Sequence, residues 1–242
     1  AILMLKFFHV GTEKLWVGNG EWLTTLGSKA AMQLHLPIVD VMMSRSSWGQ
    51  AKKQVKIAAG PFVDKPILHD IKSRKPFLLL HFEDDSLDAD QKYLLSASDY
   101  IGHYSQCNVY ACYPDRIAAN DKKYADSIKK VLPFIKTAGD TCITGSNDWF
   151  VQHYDNAGCA EHLFGSQSSF PISGGDSIIA TIPVGKHADN TAYESSCWFL
   201  LGDKDYRSPY ITVQSVDKEG NVIDQVDALT KQSLDNNGMW FR

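Results

Sequence analysis

The stretch Pro76-Phe77-Leu78-Leu79-Leu80-His81-Phe82-Glu83-Asp84-Asp85 constrains the fold more than any other. Apolar residues run without interruption from Phe77 to Leu80, a histidine and a phenylalanine follow, and three carboxylates then stand in a row. A continuous apolar run bounded by a proline and a charge cluster predicts a strand buried on both faces, as in a parallel sheet. Residues 86–101 carry a helix start signal and then a helical pattern. The order strand, carboxylates, helix places Glu83 at the C-terminal edge of a parallel sheet, where α/β proteins build their sites.

The elements around it extend the pattern. Residues 2–10 and 35–43 read as strands, the second interrupted by Asp40, a carboxylate that must end the strand or be buried with a partner. Residues 28–34 read as a short helix, 46–60 as a loop followed by a helix, and 66–70 as a short extended piece. Asn108-Val109-Tyr110-Ala111-Cys112-Tyr113 is a further strand stopped by Pro114. Asn120-Asp121 then caps an amphipathic helix whose apolar stripe is Tyr124, Ile128, Val131, Leu132 and Ile135, with Lys122, Lys123, Lys129 and Lys130 mostly outside it. Strands alternating with helices predict an α/β domain over residues 1–140, with a parallel sheet as the default.

Beyond a loop or linker at 137–147 the helical periodicity disappears. Residues 177–182, 196–201, 210–216 and 222–226 are extended runs. Asp217-Lys218-Glu219-Gly220-Asn221 between the last two is a hairpin turn with glycine where positive φ is wanted. Strands at this spacing predict an antiparallel β-sandwich or jelly roll over 148–242. The chain opens in one strand-like run and closes in another, Gly238-Met239-Trp240-Phe241-Arg242, so it reads as a piece of a longer protein.

Composition excludes some functions. With 24 basic against 28 acidic residues the net charge is -4, and no basic stripe is present to neutralise phosphates, which argues against nucleic acid as a partner. No apolar run approaches the roughly 18 residues of a membrane span. Five cysteines without CxxC spacing indicate neither zinc nor a disulfide framework. There is no GxSxG elbow, P-loop or GxGxxG. His81, Glu83 and Asp85 alternate along one strand, an awkward source of metal ligands, and Cys112 with His103 has only sequence proximity to recommend it as a nucleophile pair.

What remains is carboxylates and aromatics. In Trp16-Val17-Gly18-Asn19-Gly20-Glu21-Trp22 a glycine turn presents an acid between two tryptophans. Pyranose faces stack on exposed indoles, although the same stretch reads equally as a loop anchored by buried tryptophans. Glu83 ends the most buried strand, and His81 two residues earlier points the same way and can orient it. Their structural readings are a helix-cap carboxylate and a satisfied core histidine.

Phe164-Gly165 followed by Gly174-Gly175-Asp176-Ser177-Ile178-Ile179 resembles the opening of a jelly-roll carbohydrate-binding-type module. Ser196-Cys197-Trp198-Phe199 resembles its second strand, and the hairpin at 217–221 its internal turn. The first half is similar in outline to the C-terminal part of a (β/α)-barrel glycoside hydrolase of the secreted, multimodular bacterial kind. A full barrel takes roughly 250 residues, so the α/β part is either a partial barrel or a smaller α/β domain.

The resemblance implies a glycoside hydrolase, secreted or at the cell surface, acting on a polysaccharide or oligosaccharide through two carboxylates. Glu83 is the first candidate, Glu21 its partner and Asp40 the reserve, with Asp84 and Asp115 also at strand ends. Trp16, Trp22, His81 and Tyr110 would contact the sugar. No cofactor is implied, apart from calcium in the sandwich, held by acids such as Asp155 or Asp176. A non-catalytic glycan-binding or cell-surface protein is the alternative, and a structural assembly subunit a third.

Overall fold

The computed structural model describes residues 1–12, 15–18, 21–43, 45–82, 86–134, 136–138, 141–143, 160, 163, 167, 178–183, 195–201 and 209–242. The chain divides into two compact units, Ala1–Asp126 with Phe199–Arg242, and Ser127–Trp198.

The expected first strand is two. β1 (Ile2–Met4) and β2 (His9–Thr12) are separated by a break at Lys6, which takes φ 71°. β3 (Leu15–Val17) pairs antiparallel with β2 and leads to Gly18. Gly18 has φ +82°, and a Cβ there would lie 2.8 Å from the Phe7 carbonyl oxygen, so the turn admits only glycine. α1 (Glu21–Leu34) is twice the expected length. β4 (Val41–Met42) pairs parallel with β2.

α2 (Trp48–Val55) starts at Ser47, whose hydroxyl accepts from the Gln50 amide. Residues 66–70, expected to be extended, include the single helical turn α3 (Ile67–Asp70). β5 (Phe77–Phe82) is the strand expected from the apolar run. α4 (Ala89–Ser96) opens on a capping box between Asp88 and Gln91. The helix expected over 86–101 ends here, because β6 (Ser98–Tyr104) and β7 (Cys107–Cys112) form a hairpin around a two-residue turn. α5 (Pro114–Val131) begins at Pro114, whose missing N–H costs nothing at a helix start. Asn120-Asp121, expected as its cap, therefore lies in mid-helix.

β8 (Lys136–Ala138) and β9 (Thr141–Ile143) pair antiparallel where a loop was expected. In the second half, residues 178–183 have no regular secondary structure. Among the described residues the strands there are β10 (Phe199–Leu200), β11 (Tyr210–Val216), β12 (Val222–Leu229), β13 (Asn236–Asn237) and β14 (Trp240–Phe241). The hairpin between β11 and β12 is as expected, with Gly220 at φ +88° and the Asp217 carboxylate accepting from the Glu219 and Asn221 amides.

The protein is mixed α/β. Its principal sheet has the order β1-β5-β7-β6, with β1 and β5 parallel and the other pairs antiparallel. The all-parallel default, and with it the strand arrangement of a barrel, gives way to the β6–β7 hairpin, since a tight turn joins only antiparallel strands. The sheet carries apolar residues on both faces. Ile2, Met4, Leu80 and Val109 face Leu23, Ala30 and Ala31 of α1. Leu3, Leu5, Phe77, Leu79 and Cys112 face Ala51 and Val55 of α2, Leu94 of α4 and Ile117 of α5.

Residues expected in a separate C-terminal domain complete this second layer. Leu201 and Phe241 are buried in it. Phe241 stacks on Trp48 at 5.2 Å, and the Lys52 ammonium donates to the Gly238 carbonyl oxygen at 2.8 Å. β10, β14 and β13 form a small antiparallel sheet, and β11–β12 a two-stranded ribbon.

Candidate functional site

Leu78 and Leu80 belong to the core layer under α1, while Leu79 belongs to the opposite layer. The alternation of β5 therefore puts His81 on the Leu79 face. Three strands bring polar and aromatic residues together there. Register pairs Leu79 with Tyr110 and His81 with Asn108, and on the other side Tyr110 with Tyr100 and Asn108 with His103.

Two lateral rows result. One holds Tyr110 and Tyr100, with ring centroids 5.4 Å apart and planes at 64°. The next holds His81, Asn108 and His103, with His103 Nδ1 3.3 Å from Asn108 Oδ1. Tyr100 is 58 % exposed, Tyr110 half-buried. Burial, and secondarily the neighbouring Tyr100 and Cys107, push the Tyr110 hydroxyl up from its ordinary pKa, so it stays a neutral hydrogen-bond donor. Imidazole, amide and phenol together donate and accept, beside aromatic edges that offer apolar contact.

His81 and Tyr110, expected to contact a ligand, are thus brought together. His103, Asn108 and Tyr100 join them without having been expected as ligand contacts, because β6, which carries two of them, begins inside the helix expected over 86–101. Glu83, Asp84 and Asp85 lie outside the described residues. Glu21 is the first residue of α1, and its side chain likewise lies outside them. Trp22 is 48 % exposed and meets Phe82 edge-on at 5.3 Å, on the sheet face opposite His81. Trp16 is 46 % exposed on β3, between the buried Leu15 and Val17. Asp115 is paired with Arg74 in the first turn of α5.

Asp40 is buried, and its carboxylate accepts from the Met4 amide at 2.8 Å and the Phe8 amide at 3.1 Å. It holds the segment between β1 and β2 from inside the core. Desolvation outweighs these hydrogen bonds and raises its pKa to about 7.

Two further buried polar groups had no sequence signal. His9 of β2 is fully buried, with Nε2 3.3 Å from Gln54 Oε1, and burial lowers its pKa, leaving the imidazole neutral. The Lys65 ammonium is buried among the Gly60 carbonyl oxygen at 2.7 Å, the Val63 carbonyl oxygen at 3.1 Å and the Asp121 carboxylate at 3.1 Å. Tyr93 donates to that same carboxylate at 2.5 Å. His9 links β2 to α2 and Lys65 links a loop to α5, and a lysine in a polar stretch gives no hint that it will be buried.

No group of three or more histidine, cysteine or acidic side chains arranged to hold a metal occurs among the described residues, and Asp155 and Asp176 lie outside them. No described helix is long and apolar enough to cross a membrane. No family model matches the chain, and no curated protein or solved structure is detectably similar to it.

Proposed function

We propose that the protein recognises carbohydrate on the Tyr100–Tyr110–His81–Asn108–His103 face of its principal sheet. The observation that carries this reading is the adjacency of the two rows: a contacting pair of phenol rings beside three side chains with both donors and acceptors. A sugar ring needs both, because its C–H faces are apolar and its rim is hydroxyl. The context is that of the resemblance: a secreted or cell-surface location and a polysaccharide or oligosaccharide ligand.

Glycoside hydrolysis is the second reading. One observation favours it: Glu83 follows directly on β5, two residues after His81 in the chain. A second carboxylate is required. Asp40 is engaged in the core, which leaves Glu21 as partner.

The test is binding and hydrolysis across a panel of plant, algal and host polysaccharides, comparing wild type with Tyr100→Ala, His103→Ala and Glu83→Gln. Recognition at this face predicts a loss of about tenfold or more in affinity for Tyr100→Ala, with an unchanged circular dichroism spectrum. Unchanged affinity in both Tyr100→Ala and His103→Ala would sink the proposal. Hydrolysis by wild type that disappears in Glu83→Gln, with binding kept, would establish the catalytic reading.

A further inference from the structure

His9 is fully buried and takes no part in the Tyr100–His103 face. Register sets it between Val17 of β3 and Val41 of β4, both buried, on the side of this small sheet that meets Gln54 of α2. Ala51 and Val55 of the same helix are fully buried too, so the packing of α2 on β2 seals the imidazole from water.

Gln54 Oε1 lies 3.3 Å from His9 Nε2 and, as an acceptor, keeps the ring proton on that nitrogen. Nδ1 is buried as well and has no hydrogen-bond partner among the described residues. The packed structure therefore holds a neutral imidazole. A second ring proton would bury a positive charge and add a donor with nothing to accept it.

Among the described residues no charged neighbour offsets that cost. β3 and β4 carry no ionisable side chain. Asp40, next to Val41 in the chain, has its carboxylate on the Met4 and Phe8 amides. On α2, the Lys52 ammonium donates to the Gly238 carbonyl oxygen and Lys53 is paired with Asp70. Burial accordingly lowers the His9 pKa from its ordinary 6.5.

The helix that seals His9 also holds the C-terminal segment. Trp48 stacks on Phe241 at 5.2 Å, Lys52 Nζ donates to the Gly238 carbonyl oxygen at 2.8 Å, and Asn236 Nδ2 donates to the Lys52 carbonyl oxygen at 3.3 Å. Any movement of α2 that lets water reach the imidazole loosens these contacts to residues 236–241.

We infer that His9 and α2 form an acid-operated latch on the β13–β14 segment. Closed, the neutral imidazole seats α2 and α2 grips the segment. Proton uptake by His9 from solvent favours an open form in which α2 lifts from β2 and the grip is lost.

The closed imidazole binds a proton less readily than the open one. The closed form is thus fully favoured above about pH 6.5 and loses ground as pH falls below it. Asp40, which binds its proton more tightly in the folded protein, pulls the other way, so the informative comparison is with a His9 variant.

The test is hydrogen exchange of the 236–241 amides at about pH 7.5 and 5.5, expressed as protection over the unstructured chain, in wild type, His9→Gln and Gln54→Glu. Wild-type protection relative to His9→Gln is expected to fall about tenfold across this range, the factor by which an open imidazole of ordinary pKa gains protons. The β5 amides should stay more protected than 236–241 at both pH values, as a local opening requires. Gln54→Glu sets a carboxylate beside the imidazole and should abolish the acid loss, which decides the matter even if His9→Gln does not fold. Equal pH dependence in wild type and either variant would overturn the inference, as would exchange of 236–241 only together with β5.

Discussion

β5 and β12 are of similar length and both rich in aliphatic residues, yet their surroundings are opposite. β5 lies between β1 and β7 with helices on both faces, and Phe77, Leu79 and Leu80 are buried. β12 has one neighbour, β11, and all eight of its residues are exposed. Strand formation at either place needs only extended backbone, a pairing partner and a compatible turn. What differs is the second layer. Burial of a leucine on both sides of a sheet contributes about 2 kcal/mol, and the ribbon lacks that contribution in a single chain.

The contrast is broken most severely at Leu79. Leu79→Ala removes a fully buried side chain from the layer under α2, α4 and α5 and should cost about 4 kcal/mol in equilibrium denaturation. The aliphatic-to-alanine change at Val226 should cost less than about 0.5 kcal/mol in the monomer.

Next in size is Lys65. Lys65→Met leaves the Gly60 and Val63 carbonyl oxygens and the Asp121 carboxylate without their buried cation, an expected loss of about 3 kcal/mol by urea denaturation. An exposed partner such as Lys218, paired with Glu219 on the ribbon, should contribute nothing measurable.

Asp40 sharpens the comparison through pH. Asp40→Ala should cost about 2 kcal/mol at pH 5, since the Met4 and Phe8 amides lose their acceptor. The Asp40 pKa is raised in the folded protein to about 7 from 3.8, so the folded state holds the proton more tightly than the unfolded state. The resulting stability is fully present below about pH 4 and is lost as pH rises through about 7. Denaturation midpoints of wild type against Asp40→Asn over pH 4–8 should converge toward the alkaline end. A wild-type midpoint that rises across this window relative to Asp40→Asn would contradict the assignment.

The smallest effect on global stability belongs to the ribbon, where local opening is the informative quantity. Amides of β11 and β12 should exchange with solvent orders of magnitude faster than those of β5 in dilute protein.

Some of this was legible in the chain. The apolar run at 77–82 and the Asp217–Asn221 turn announced β5 and the ribbon, because each signal is local: hydrophobic run length in one, turn chemistry in the other. β6 was not legible. Ser98-Asp99-Tyr100-Ile101-Gly102-His103-Tyr104 shows no period-two pattern, since an edge strand exposed on most positions has no buried face to mark. Its Ser105-Gln106 turn also lacks the Asn-Gly or Asp-Gly signature of a tight hairpin, with Ser105 itself taking φ 58°. The aromatic and polar rows were missed with it, leaving only His81 and Tyr110 visible as isolated candidates.

The sequence by itself determined where the chain is apolar, where it turns and which residue types are available for a site. It therefore determined the α/β content and the strand at the centre of the sheet. Only the tertiary structure decided that β7 runs antiparallel to β5, that Asp40 is a core acceptor, and that Phe241 packs on Trp48 across nearly the whole chain length. Those outcomes rest on contacts between residues far apart in sequence, and no local pattern encodes the partner that desolvates a carboxylate or covers an aromatic ring.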